Sequence, residues 1–252
     1  MPSEAQLIML RAKLAAMEIA RAPIQGALSL GDPGLDLALG GAGLLLGHWH
    51  LVAGDGLEAE TGAAAGAFVA SLIAPLATKG AVVWVMRRDD LYSPGLVGLG
   101  FPAERLIQVR VRDEAQALAA LEESLRQTGV VAAVAETANV DFTAGRRLKL
   151  ACETQGATGF IIRRRPFGGK ASGSGQGSAA TTRWRVMPAP SAPAEGEPGL
   201  GPPRWRVELE RALGGRPSAW LLELCDGPYP LRVVAQLGDR QLAPPQPWRA
   251  TG

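Results

Sequence analysis

Hydrophobic and polar positions along this chain follow two rhythms. The clearest signals are short apolar runs with little polar alternation: AVVWVM at 81–86, VVAAVAE at 130–136 and TGFIIRR at 158–164, with LIQVRV between the first two and a strand at 48–53 ahead of them. Such runs suit strands of a parallel sheet covered on both faces. Between them lie segments of helical character: an alanine-rich stretch at 62–78, EAQALAALEESLRQT opening near Asp113, and TAGRRLKLACETQG. Strands alternating with helices of this length predict βαβ units, hence an α/β fold with a mostly parallel sheet flanked by helices. TTRWRVMP, RWRVELERA, SAWLLELC and PLRVVAQLG read as strands closing the chain, the last three antiparallel.

Ahead of this core, Ser3 and Gln6 form a capping-box pattern, and Leu7, Leu10, Leu14 and Met17 then recur at helical spacing, predicting a helix over 3–21 that Pro23 ends. Its apolar stripe must be covered, either by its own domain or by a partner. From 26 to 47 the chain is punctuated by glycine, with one short helix around GLDLALG. The stretches 166–180 and 188–203 are rich in Gly, Ala, Ser and Pro and read as flexible connections. The expected organisation is an N-terminal helix and linker at 1–25, a core at 26–238 and a tail at 239–252.

Composition narrows the classes. At 252 residues, 47% hydrophobic and 20% charged, the chain suits one α/β domain with a substantial core. Its longest apolar stretch, 63–77, is too short to span a bilayer and is interrupted by Pro75, so no membrane partner is expected. The first residues mix Glu4, Arg11, Lys13 and Glu18 among the apolar ones, unlike an export signal, and a cytoplasmic location is expected. Cys152 and Cys225 stand in unrelated contexts without a CxxC pair and read as buried free thiols. His48 and His50 flank Trp49 on one strand with no third ligand near, so no metal site is expected. A net charge of +2 is too small to argue for nucleic acid by itself.

The chemistry turns on GDGLEAETGAAAGAF at 54–68, where an apolar strand meets an alanine-rich helix. A nucleotide-binding protein places its phosphate loop at such a junction, with the pattern GxxxxGK[ST]: backbone amides cradle the phosphates, lysine neutralises them and the hydroxyl holds magnesium. Gly54, Gly56, Thr61 and Gly62 give a degenerate version, for no register supplies the lysine, and Asp55, Glu58 and Glu60 add negative charge. One lost charge-assisted contact costs on the order of 1.5–3 kcal/mol. The strand VVAAVAET ends in Glu136 where a magnesium-binding acid would stand, and Glu136 with Asp89 forms a conceivable acid pair. No GxSxG motif or triad accompanies the two histidines. Neither a nucleotide nor any other cofactor is expected, and no catalytic residue is assigned.

The order of elements adds to this. GLDLALGGAGLLLGHWHLVAG, the loop and helix, AVVWVMRRDDLYSPGLVGLGF, VVAAVAE, FIIRR, the glycine-rich stretch, and the late segments SAATTRWRV and RWRVELERALGGRPSAWLLEL together resemble the RecA recombinase core. Within it they are most similar to the ImuA family, the RecA-like members of a bacterial damage-inducible mutagenesis cassette, over residues 3–235. The resemblance implies a RecA-like fold, action in DNA repair and error-prone translesion synthesis, and three partners: ImuB, RecA and an error-prone DnaE-type polymerase. It also implies that Leu7, Leu10, Leu14 and Met17 form an interface helix, through which the chain could also assemble with itself. The departure at the phosphate loop argues against recombinase activity.

Basic residues supply the remaining candidates. Arg163, Arg164 and Arg165 close a central strand and face the stretch carrying Lys170, while Arg183 and Arg185 flank Trp184. They read either as a track for a single-stranded DNA backbone or as a solvated arginine-rich edge. The expected function is a non-catalytic RecA-like accessory protein that works by binding. An atypical ATPase using Glu136, and a RecA-like cell-division inhibitor, are the alternatives.

Overall fold

The computed structural model describes residues 26–164, 179–193, 196, 198–227 and 229–237. Along the chain these form β1 (Ala27–Leu28), α1 (Pro33–Ala38), β2 (Leu44–Leu45), β3 (Trp49–Gly54), α2 (Glu58–Ala77), β4 (Ala81–Met86), α3 (Ser93–Val97), a 3-10 turn (Ala103–Arg105), β5 (Leu106–Arg110), α4 (Glu114–Leu125), β6 (Val130–Thr137), α5 (Phe142–Gln155), β7 (Thr158–Arg163), β8 (Thr182–Ala189), β9 (Arg204–Ala212), β10 (Ser218–Leu224) and β11 (Leu231–Leu237). Nine strands make one sheet in the order β11-β10-β9-β8-β3-β7-β6-β4-β5. Every neighbouring pair from β8 to β5 is parallel, and β8, β9, β10 and β11 pair antiparallel in turn. The fold is α/β with a RecA-like core, its antiparallel strands at the carboxy-terminal side.

Burial along each strand reflects which faces are covered. β4 and β7 are buried almost throughout, and helices lie over both of their faces. α2 packs on one face with Trp84, Phe160, Trp184, Trp205 and Trp220, and α4 and α5 cover the other with Trp49, Leu51, Val83 and Ile161. β8 and β9 instead alternate buried and accessible positions, Trp184 and Val186 on one, Trp205, Val207 and Leu209 on the other, as a sheet half with one covered face requires. The Phe68 and Trp184 rings meet edge to face with their centroids 5.6 Å apart, tying α2 to β8.

Local sequence sets the helix boundaries. Asp32, Asp113 and Asp141 each accept a backbone N–H three residues on, at 2.8, 2.8 and 2.7 Å, capping α1, α4 and α5. Gly156, in the left-handed region at φ 76°, ends α5. Two features depart from expectation. α2 begins at Glu58, four residues before the predicted start, and the glycine-punctuated segment contains a two-residue ladder of β1 on β2.

Candidate functional site

The degenerate loop lies at the carboxyl end of β3, the sheet's central strand, where open α/β sheets hold their ligands. Between Gly54, the last residue of β3, and Glu58, the first of α2, only three residues remain. Chain that would wrap a phosphate is wound into helix instead, and Thr61 and Gly62 sit inside α2. The Thr61 hydroxyl donates to the Leu57 carbonyl at 3.0 Å, so it is turned onto its own helix. It also leans on the strand: a Cβ built on Gly54 would lie 2.3 Å from Thr61 Oγ1. Asp55 is held too, its N–H donating to Val186 at 3.0 Å and its carboxylate 3.6 Å from Arg185.

Gly54, Gly56, Thr61 and Gly62 from the loop, with Arg163 and Arg164 from the end of β7, line one cavity of about 20 Å³. That is room for on the order of one water, whereas drug-sized ligand pockets run from about 300 to 1,000 Å³. Residues predicted for two separate purposes, a phosphate loop and a DNA track, thus meet in one small space.

Beside that cavity lies a charge network that sequence reasoning only partly found. Glu136 is nearly buried; its Oε1 accepts from Trp84 Nε1 and its Oε2 from Arg164, both at 2.9 Å. Arg164 also donates to Asp90 at 2.8 Å. The acid that meets Glu136 is therefore Asp90, through Arg164, while Asp89 turns outward to Arg110 at 3.3 Å. A glutamate ending an otherwise apolar strand signals a buried carboxylate in need of a cation, but which arginine answers it depends on strand order.

Two of the other basic candidates, Arg183 and Arg185, are matched by carboxylates. Arg185 hydrogen-bonds Glu210 and pairs with Asp55, and Arg183 lies 3.9 Å from Glu210. Partial burial lowers the pKa of Arg183 despite Glu210, with Arg211 adding to the effect. At Arg185 burial acts in the same direction, but Glu210, Asp55 and Glu208 outweigh it and the net shift is upward. Trp184 and Trp205 are buried, so neither indole is presented for stacking on a base. Arg165 and Lys170, and the helix candidates Leu7, Leu10, Leu14 and Met17, lie outside the described residues.

The histidines have structural surroundings. His50 is fully buried; its Nε2 lies 2.9 Å from the Leu45 carbonyl and its Nδ1 2.7 Å from Thr182 Oγ1, and the same hydroxyl accepts from Trp184 Nε1 at 2.7 Å. Burial pushes its pKa down to about 3, against the opposing effect of the Leu45 carbonyl and with a small contribution from His48. Among the described residues no group of three His, Cys, Asp or Glu side chains is placed to hold a metal ion, and no helix is long and apolar enough to cross a membrane. Cys152 is a buried free thiol, its pKa pushed up to about 12 by burial. Cys225 differs from expectation in being only half-buried.

No family model matches the chain. Full-length relatives do: it is 55% identical over 233 residues, 89% of this chain and 96% of the relative, to Protein ImuA of Caulobacter vibrioides strain NA1000 / CB15N, and equally so to Protein ImuA of strain ATCC 19089 / CIP 103742 / CB 15. Identity at that level across nearly the whole of both chains cannot come from a shared scaffold alone, and with the RecA-like sheet it shows that this chain belongs to the ImuA family.

Proposed function

We propose that this protein is a non-catalytic accessory factor of DNA-damage-induced mutagenesis, which supports error-prone translesion synthesis by binding ImuB and RecA within an assembly that includes a DnaE-type polymerase. The observation that carries the reading is the closed loop in a chain of this family: three residues between β3 and α2, no lysine, and about 20 Å³ of space. A fold whose phosphate loop is this short and carries no lysine is suited to work through its surfaces. The pairing of Arg164, Arg183 and Arg185 with carboxylates favours protein partners over DNA as the primary contacts.

A pull-down of the full chain against ImuB and against RecA tests the proposal. Retention of either at near-stoichiometric level is the expected result, and retention of neither sinks it. A chain lacking residues 1–22 should lose the contact if Leu7, Leu10, Leu14 and Met17 form the interface. Titration with single-stranded DNA at two salt concentrations covers the remaining basic candidates. Alanine at Arg163 and Arg165 should weaken any such binding and flatten its salt dependence.

A further inference from the structure

Three neighbouring strands bring their carboxyl ends onto one guanidinium. Arg164, the residue after β7, spans Glu136 of β6 at 2.9 Å and Asp90, just beyond β4, at 2.8 Å. Its backbone N–H donates to Thr137 at 3.1 Å, and Trp84 of β4 holds the other oxygen of Glu136 at 2.9 Å. The Glu136 and Arg164 side chains are only 7% and 18% exposed, so the pair is largely withdrawn from water, while Asp90 at 39% keeps the outer end wet. A carboxylate this buried is strongly unfavourable without a partner. Two carboxylates converging beside a glycine loop also make an oxygen pair of the kind a hard divalent cation takes, and here a side chain of the protein supplies the positive charge.

We propose that Arg164 is a built-in counter-ion that locks the carboxyl ends of β4, β6 and β7 together, so that this end of the sheet keeps one arrangement whether or not nucleotide or divalent cation is available. The inference rests on the proposed reading of the loop as closed to nucleotide, and it adds what sets the conformation of the same region. Thermal unfolding of the full chain tests it, with wild type, Arg164→Gln, Glu136→Gln and the double variant each measured in EDTA and in millimolar magnesium or calcium chloride.

Arg164→Gln should lower Tm by roughly 5–10 °C. Adding Glu136→Gln should return part of the loss, because the buried charge that Arg164 meets is then removed with it. Divalent cation should raise the Tm of Arg164→Gln and leave wild type and the double variant unmoved. An Arg164→Gln chain as stable as wild type overturns the proposal, and so do single losses that add in the double variant without a divalent effect. If Arg164→Gln does not accumulate as folded protein, recovery in the double variant supports the lock and failure of both counts against it. A rise in wild-type Tm with ATP and magnesium would instead overturn the closed-loop reading, which the variants in EDTA do not address.

Discussion

His50 shows how one side chain couples the core to pH. As a neutral imidazole it donates from Nε2 to the Leu45 carbonyl and accepts the Thr182 hydroxyl at Nδ1, which joins β2, β3 and β8 through a single ring. Its pKa falls from 6.5 to about 3 on folding. The unfolded chain therefore takes up a proton near pH 6.5 that the folded chain refuses until about pH 3. Stability from this residue is complete above pH 6.5 and drains away as pH falls toward 3, with a limiting slope of about 1.4 kcal/mol per pH unit. Urea unfolding at a series of pH values should show that slope in wild type and a flatter line for His50→Gln; parallel lines would mean the ring is not the source. Gly54 offers a second residue-scale test. A methyl group there meets Thr61 2.3 Å away, so Gly54→Ala should cost about 1–3 kcal/mol by overpacking.

At the scale of elements, the carboxy-terminal strands are held by devices different from those of the parallel half. Helices sandwich β4, β6 and β7, and apolar burial does the work there. β9, β10 and β11 have one covered face and are tied across the other by charge, where Glu223 of β10 receives Arg204 of β9 at 2.6 Å and Arg232 of β11. Glu223 is nearly buried between them, so Glu223→Ala leaves two guanidinium groups without their shared anion. It should destabilise the chain by about 2–4 kcal/mol, with hydrogen exchange accelerating in β10 and β11 before β6. The bulge between Leu221 and Leu222, which leaves Val234 without a partner in the β10 ladder, interrupts the outer strand and blunts it against pairing with another chain.

At the scale of the whole molecule, the proposed function predicts a RecA-like core that does not respond to nucleotide. A ligand present at a hundred times its Kd would add about 2.7 kcal/mol of stability, which is readily visible in Tm. Millimolar ATP with magnesium should leave the melting curve of the wild-type chain where it was; a shift of several degrees, or heat of binding by calorimetry, would favour the ATPase alternative. The same melt with purified ImuB or RecA should move upward if the surfaces carry the function, because a partner that binds only the folded chain stabilises it by mass action.

Local order was legible in the residues themselves. Apolar runs in β4, β6 and β7, the alternation in β8 and β9, the cap at Asp113 and the missing lysine all follow from interactions within a few residues, which periodicity and motif spacing report directly. The late strands could be read on the same grounds, whereas the family came from the resemblance in the order of elements, which 55% identity to Protein ImuA bears out. Tertiary structure decided what depends on neighbours distant in sequence. It wound α2 back to Glu58 and set Thr61 close against Gly54. It chose Asp90 over Asp89, and set Arg164 against Glu136, because strand order puts β4, β6 and β7 side by side. Sequence can show that a buried acid needs a cation, but only the packing of the sheet determines which arginine reaches it.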